Sequence, residues 1–325
     1  MTQVRVLVTG GNGYVGRQLT RRLHRSCEVR VADSLRYGGW RFTAAEQAEL
    51  QLSRCDIRDA DEVARLMADF VPDVVVHLAA LHYIPECEDK PALAVDTNVL
   101  GTINLLLSAP VGSRFVFASS GAVYRPDECS HSEDGSALEP SDIYGLSKLH
   151  GEHYVRQIAA KRRLRAAIVR LFNVVGPGET NPHLLPEIVA QLHSGRRVVN
   201  LGNLSPERDY IGVEDAARGF EAVALGDAVE PSETVVVNLG TSRSYSVAAV
   251  VEKLRRVSGV DFAIRQEEGR VRKVDRPVLR ADNHRIRELF GWQPQQTLDE
   301  VLAQMWREPD VASWLMARYQ LEDVS

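Results

Sequence analysis

The chain has 325 residues, 44% of them hydrophobic and 26% charged, which supplies core material for one large domain or two modest ones and excludes an intrinsically disordered chain. A formal charge of -5 gives no basic field for nucleic acid, and Arg162-Arg163-x-Arg165 and Arg255-Arg256 read as solvated helix faces. Cys27, Cys55, Cys87 and Cys129 show neither CxxC nor zinc spacing and read as reduced thiols, and no apolar run approaches a membrane span of about 18 residues. The expectation is a soluble, cytoplasmic protein with no membrane or nucleic-acid partner.

Short apolar runs at residues 4–8, 28–32, 74–78, 114–118 and 166–171 read as buried strands. Between them, residues 16–23, 61–69, 92–108 and 144–161 carry apolar positions at helical spacing. This alternation predicts βαβ units and an α/β fold, a Rossmann-type doubly wound parallel sheet with ligands at the carboxyl ends of its strands. From Asn173 onward Pro177, Pro182, Pro186 and Pro206 break the pattern, and only residues 235–238 still read as a buried strand. The expected division is a dinucleotide-binding domain over 1–172, to which the chain returns around 210–240, and a smaller α/β substrate-binding domain over 173–325.

After the first strand comes Thr9-Gly10-Gly11-Asn12-Gly13-Tyr14-Val15-Gly16, opening a helix. Three glycines stand where a tight turn, a phosphate and a helix–sheet contact each exclude a Cβ, and the helix terminus offers free N–H groups to a pyrophosphate. Seventeen residues after Gly16, at the end of the second strand, Asp33 can accept both hydroxyls of an adenine ribose and repel a 2′-phosphate. That choice favours NAD over NADP, with Arg36 close enough in sequence to weaken it. In Cys55-Asp56-Ile57-Arg58-Asp59, Asp56 is placed to meet the adenine amine, whereas Asp59 reads equally well as a helix cap.

Tyr144-Gly145-Leu146-Ser147-Lys148 sets a phenol and an ammonium four residues apart on one helix face. A phenol with its ordinary pKa of about 10 is a poor base at neutral pH, but a nearby ammonium and a positive nicotinamide ring stabilise its anion. The strand at 114–118 ends in Ser119-Ser120, whose hydroxyls belong to the same sheet edge, so Ser120, Tyr144 and Lys148 form the expected catalytic trio.

These residues resemble the extended short-chain dehydrogenase/reductase family, in its nucleotide-sugar 4-epimerase and dehydratase branch, over nearly the whole chain. The resemblance rests on TGGNGYVG at 9–16, DIRD at 56–59, HLAA at 77–80, DTNVLGT at 96–102, SSGAVY at 119–124, YGLSK at 144–148, RLFNVVGPG at 170–178, RDYIGVEDAA at 208–217 and GW at 291–292. It implies that Ser120 bonds the sugar O4, Tyr144 is the acid/base and Lys148 holds the nicotinamide ribose. It further implies NAD contacts from Gly10, Gly13, Tyr14, Val15, Gly16, Asp33, Asp56, Ile57, Leu78, Ala79, Ala80, Asn98 and Phe172. The substrate, a nucleotide-diphosphate sugar, is expected to meet His82, Gly121, Asn173, His183, Leu184, Asn200, Arg208, Arg272 and Asp275. A homodimer through a four-helix bundle of 92–108 and 144–161 is implied as well.

Related 4,6-dehydratases carry Asp-Glu directly after the catalytic hydroxyl residue, and uronic acid decarboxylases tend to carry Glu at the first of those positions. Here Gly121 and Ala122 can neither give nor take a proton, which leaves chemistry needing only hydride movement and one acid/base. The expected reaction is 4-epimerisation, with an NAD(P)H-dependent 4-keto-sugar reductase as the alternative and a non-catalytic dinucleotide sensor as a reading from another class. His82-Tyr83-Ile84-Pro85-Glu86-Cys87 and Arg125-Pro126 depart from the common pattern beside the sugar pocket. His150 and His153 lack a third partner at ligand spacing, so no metal is expected.

Overall fold

Strands that are apolar on both faces need cover on both faces, and the burial pattern shows this directly: every residue of Val74–His77 is buried, as are six of the seven in Arg114–Ser120. The computed structural model describes residues 3–179, 181–267, 276–308, 315 and 317–319. In chain order its first strands are β1 (Arg5–Thr9), β2 (Glu28–Asp33), β3 (Gln51–Arg54), β4 (Val74–His77), β5 (Arg114–Ser120) and β6 (Arg165–Leu171). They are followed by β7 (Asn173–Val175), β8 (Val198–Leu201), β9 (Glu207–Gly212) and β10 (Thr234–Leu239). A seven-stranded sheet runs in the order β10-β6-β5-β4-β1-β2-β3, every neighbouring pair parallel. This is the Rossmann-type α/β architecture expected from the alternation of elements.

In chain order the helices up to residue 225 are α1 (Tyr14–Leu23), α2 (Ala44–Glu49), α3 (Ala60–Phe70), α4 (Ile84–Asp89), α5 (Pro91–Val95), α6 (Gly101–Ser108), α7 (Ile143–Arg162), α8 (Leu184–His193) and α9 (Val213–Leu225). Alternation along β1 sends Val6 and Val8 into one core with Leu19 of α1 and Phe220 of α9, while Leu7 enters the other with Phe70, Leu105 and Val155. Asp59 caps α3, its carboxylate accepting the N–H groups of Asp61 and Glu62.

Two sequence expectations need correction. The single helix expected over 92–108 contains a π-helical turn, Asp96–Leu100, between α5 and α6. The Thr102 hydroxyl bonds the Asn98 carbonyl there, and the Asn98 amide reaches away to the loop after β4. Likewise, residues 173–325 hold more than one strand. Besides β10 they form β7, β8, β9 and the short strands Ser244–Ser246, Ala263–Gln266 and Val278–Leu279. These are brief and mixed in burial, so they lack the continuous apolar run by which a buried strand is read.

The sheet order reverses between β1 and β4, where successive crossovers leave in opposite directions, and in open α/β sheets the ligand crevice lies at the carboxyl ends of the strands at such a reversal. No helix among the described residues is long and apolar enough to cross a membrane.

Candidate active site

At the reversal, Gly10 takes a left-handed φ of 69°, and a Cβ on it would stand 2.5 Å from the Ala79 nitrogen. The loops after β1 and β4 therefore close against one another only with glycine here. A Cβ at Gly16 would lie 2.3 Å from the Gly10 carbonyl oxygen, so this glycine lets α1 start tight against the turn. Gly13 is the N-cap of α1 and brings no side-chain cap, which leaves the first N–H groups of the helix for an anion.

A cleft of about 1730 Å³ opens from this turn across the carboxyl ends of the strands. Single small-molecule pockets hold about 300–1,000 Å³, so this one has room for a dinucleotide and a second ligand together. Gly10, Gly13, Tyr14, Val15, Gly16, Asp33, Asp56, Ile57, Leu78, Ala79, Ala80, Lys148 and Phe172 line it. Asp33 accepts the N–H groups of Leu35 and Asn12 at 2.9 and 3.2 Å, which aims its carboxylate. Burial raises its pKa above the ordinary value against the pull of those two bonds. Arg36 is taken up by Glu86 in an ion pair, and Tyr37 also bonds Glu86, so the loop after β2 is latched to α4. Asp56 is held in a fork by Arg58, which keeps its carboxyl below the usual range.

Gly10, the free N–H groups of α1 and Asp33 together fit a dinucleotide with unsubstituted ribose hydroxyls. Asn98 stands apart from the cleft lining. Its amide accepts from Leu81 N–H at 2.8 Å and donates to the Leu81 carbonyl at 2.9 Å and to Ser147 Oγ at 2.8 Å. It thus pins the loop after β4 to α7.

Ser120 ends β5 and turns the chain into a short 3-10 segment, Gly121–Val123, its Oγ accepting the Ala122 N–H at 3.1 Å. Tyr144 and Lys148 lie one turn apart on α7, whose N-cap Asp142 accepts the Gly145 N–H at 2.7 Å. The Tyr144 phenol and the Ser120 hydroxyl both line the cleft; burial pushes the phenol well up, and the neighbouring Ser120 hydroxyl works against that rise. Burial pushes Lys148 down to about 7. Its Nζ donates to the Ala118 carbonyl at 2.8 Å and sits 5.0 Å from the Phe117 ring centre and 6.0 Å from that of Tyr144. The expected trio thus meets at one edge of the sheet.

Beneath it, Ser119 donates to Glu152 at 2.6 Å, and Glu152 forms a buried two-bond pair with Arg170 at 2.7 and 2.9 Å. Arg170 also reaches the Tyr124 hydroxyl, which donates to Asn238 at 2.7 Å. A fully satisfied buried network of this kind rigidifies what it touches, here the end of β5 that carries Ser120.

At Gly121 a Cβ would come within 3.2 Å of the Phe172 ring, so a larger residue there must displace that ring. Gly121 is buried and outside the cleft lining, while Ala122 reaches it.

Across the cleft lie His82, Asn173, His183, Leu184, Asn200 and Arg208. His82 Nε2 is 2.8 Å from Asn181 Nδ2, and its imidazole is held below its ordinary value by the surrounding protein. His183, the N-cap of α8, pairs with Glu179 at 3.6 Å. Arg208 donates to the carbonyls of Glu207 and Arg276, both at 2.8 Å. The Asn200 backbone is tied to Gln191, and its Oδ1 is buried with no partner among the described residues. Arg272 and Asp275 lie outside the described residues.

Reading the sequence missed Glu179, Asp142 and Arg276, all in the cleft wall. Asp142 carries a cap signal, an acid just ahead of a helical pattern; the other two have no local signal. Among the described residues no cluster of three potential ligands for a metal ion occurs, and His150 and His153 are exposed on α7.

Comparison with known proteins agrees with this geometry. UDP-glucose 4-epimerase of Streptomyces lividans is 34% identical over 322 residues, covering 92% of this chain and 94% of its own. UDP-glucose 4-epimerase of Lactobacillus helveticus is 31% identical over 325 residues, covering 94% and 96%. The crystal structure of Bifidobacterium longum UDP-glucose 4-epimerase in complex with NAD+ and UDP superposes with a TM-score of 0.84 at 26% identity, over 95% of this chain and all of the other. Residues 6–240 match the NAD dependent epimerase/dehydratase family, and the chain belongs to that family.

Proposed function

We propose that the chain is an NAD-dependent nucleotide-sugar 4-epimerase whose substrate is a UDP-linked sugar. The carrying observation is that Ser120, Tyr144 and Lys148 line one edge of the cleft together, with Ser120 followed directly by Gly121 and Ala122, which offer no second acid or base. The UDP assignment rests on the epimerases named above.

When bound, NAD supplies the hydride acceptor, and then donor, that oxidation and re-reduction at C4 require. Gly10, Gly13, the amino end of α1 and Asp33 would hold it, and Lys148 would meet the nicotinamide ribose. Ser120 holds the C4 oxygen, and Tyr144 takes its proton on oxidation and returns it on reduction. Between those events the 4-keto sugar turns about its diphosphate, which Arg208 grips from the opposite wall. Two parallel charge-assisted bonds make an arginine fork suited to that grip. His82, oriented by Asn181, and His183 line the part of the cleft assigned to the sugar and set which substituents fit. A 4-keto-sugar reductase consumes NADPH from solution in the common case, and Asp33 disfavours that cofactor.

The experiment is incubation of purified protein with a panel of UDP-sugars and no added reductant. The expected result is interconversion of two 4-epimers with no net change in NADH absorbance. A requirement for stoichiometric NAD(P)H with a 4-keto substrate replaces this reading with the reductase.

We also assign a homodimer and a cytoplasmic setting. Leu146, His150, His153 and Tyr154 share one exposed stripe of α7, and Val95, Leu100 and Leu107 are exposed on the neighbouring α5–α6 run. The four cysteines are free thiols, three of them buried, which fits a reducing compartment. Leu146→Glu is expected to convert a two-chain mass in sedimentation to a one-chain mass; a wild-type monomer ends the dimer assignment.

A further inference from the structure

Arg276 comes from the segment just before the short strand Val278–Leu279, more than 130 residues from the elements that its side chain meets. It is buried, and its guanidinium reaches into the turn after the catalytic serine. One terminal nitrogen donates to the Ala122 carbonyl at 3.0 Å, to Ser141 Oγ at 3.2 Å and to Asp142 Oδ2 at 2.9 Å. The other lies 3.4 Å from the carbonyls of Gly121 and Tyr124. Those carbonyls belong to the 3-10 segment that Ser120 initiates and to its cap residue, and Asp142 is the N-cap of the helix that carries Tyr144. One side chain therefore touches both supports of the hydroxyl pair.

Its backbone faces the other way. The Arg276 carbonyl accepts from Arg208 at 2.8 Å, and Val278–Leu279 runs parallel to β9, Val278 beside Glu207 and Leu279 beside Arg208. The arginine assigned to the diphosphate and the pair assigned to the sugar O4 are thus joined through one residue.

Resting on the epimerase reading above, we propose that Arg276 is a positioning residue that clamps the Ser120 turn to the amino end of the Tyr144 helix. By fastening both to the strand pair that carries Arg208, it aligns the hydroxyls with a substrate held by its diphosphate. Three features favour this over simple packing. The Arg276–Asp142 pair is largely withdrawn from water, the two side chains being 9% and 14% exposed, so removal of one partner leaves the other poorly compensated. A guanidinium fork spans several carbonyls at once, which an ammonium does not. Asp142, two residues from Tyr144, also acts on the phenol by charge, in the direction that keeps it protonated, and Arg276 neutralises that charge.

The test uses the NAD-loaded full-length chain. Arg276→Met is expected to lower kcat about 10- to 100-fold, a loss typical of misplaced reacting groups, with KM changed less than about threefold. Arg276→Lys recovers part of kcat. Titration of the phenolate absorbance, with Tyr144→Phe as the blank, is expected to move up by about one unit in Arg276→Met as Asp142 loses its counter-charge. The double variant Arg276→Met/Asp142→Asn brings the midpoint back towards wild type without restoring full kcat. Asp142→Asn alone, which keeps a good helix cap, moves the midpoint down and serves if Arg276→Met does not fold.

Wild-type kcat per folded molecule together with an unmoved phenolate midpoint in Arg276→Met overturns the proposal, as does an unmoved midpoint in Asp142→Asn. If the wild-type chain converts no UDP-sugar, the epimerase reading falls, and the phenolate titration still decides the role of Arg276.

Discussion

Tyr144→Phe is expected to reduce interconversion of the 4-epimers by about 10³-fold while bound NAD stays near wild-type occupancy. The phenol is the acid/base that the proposed reaction needs, and the Ser120 hydroxyl, which accepts the Ala122 N–H, has no base of its own to take up the proton. Removing one oxygen leaves the ring, the helix and the cofactor turn in place, so the loss falls on turnover. Turnover with a UDP-sugar and NAD content after desalting are the two measurements. Full turnover in this variant means that another group moves the proton. Biological activity that survives while NAD remains bound points instead to a non-catalytic dinucleotide sensor on this fold.

Lys148→Met is expected to abolish turnover and, unusually for a charged-to-apolar change, to raise the stability of the cofactor-free protein at neutral pH by about 2 kcal/mol. Lys148 is 2% exposed, and burial pushes its pKa down to about 7 from the ordinary lysine value of 10.5. Between those two values the unfolded chain binds more protons than the folded one, so stability rises with pH across this window. Below about 7 the whole cost of burying the ammonium is present. The bond to the Ala118 carbonyl offsets part of that cost, which is why the expected gain is smaller than the full shift implies. Urea midpoints from pH 6 to 10 check this: the wild-type midpoint climbs with pH, and the Lys148→Met midpoint lacks that climb. Equal pH slopes in both proteins show that the lysine titrates normally and that its burial stores no strain for NAD binding to relieve.

Much of the fold was legible because its signals are local. Strands such as Val74–His77 are apolar at every position until their last residue, and α3 buries Val63, Leu66, Met67 and Phe70 at helical spacing. The small strands of the C-terminal part were not legible: Val198–Leu201 is exposed at its first residue, and Val278–Leu279 spans two residues, too few for any period to show. Asn98 illustrates a different limit. Its motif implies a cofactor contact, whereas its bonds to Leu81 and Ser147, distant along the chain, show only in the fold.

By itself the sequence determined a glycine turn of dinucleotide type, an acid at the end of the second strand, a Tyr-Lys pair four residues apart, and Gly121-Ala122 after Ser120 where dehydratases carry Asp-Glu. Each is written in contiguous residues whose spacing sets their geometry within one turn or one helix. Only the tertiary structure decided what surrounds them. It set Glu152 against Arg170 beneath Ser119, put His82 beside Asn181 and His183 beside Glu179, and placed Arg276 between Arg208 and the catalytic pair. Except for the close His183–Glu179 pair, these partners are far apart along the chain, so no local periodicity encodes them. What joins them is the cost of burying a charge or a carbonyl unpaired, and that cost exists only once the chain has closed around it.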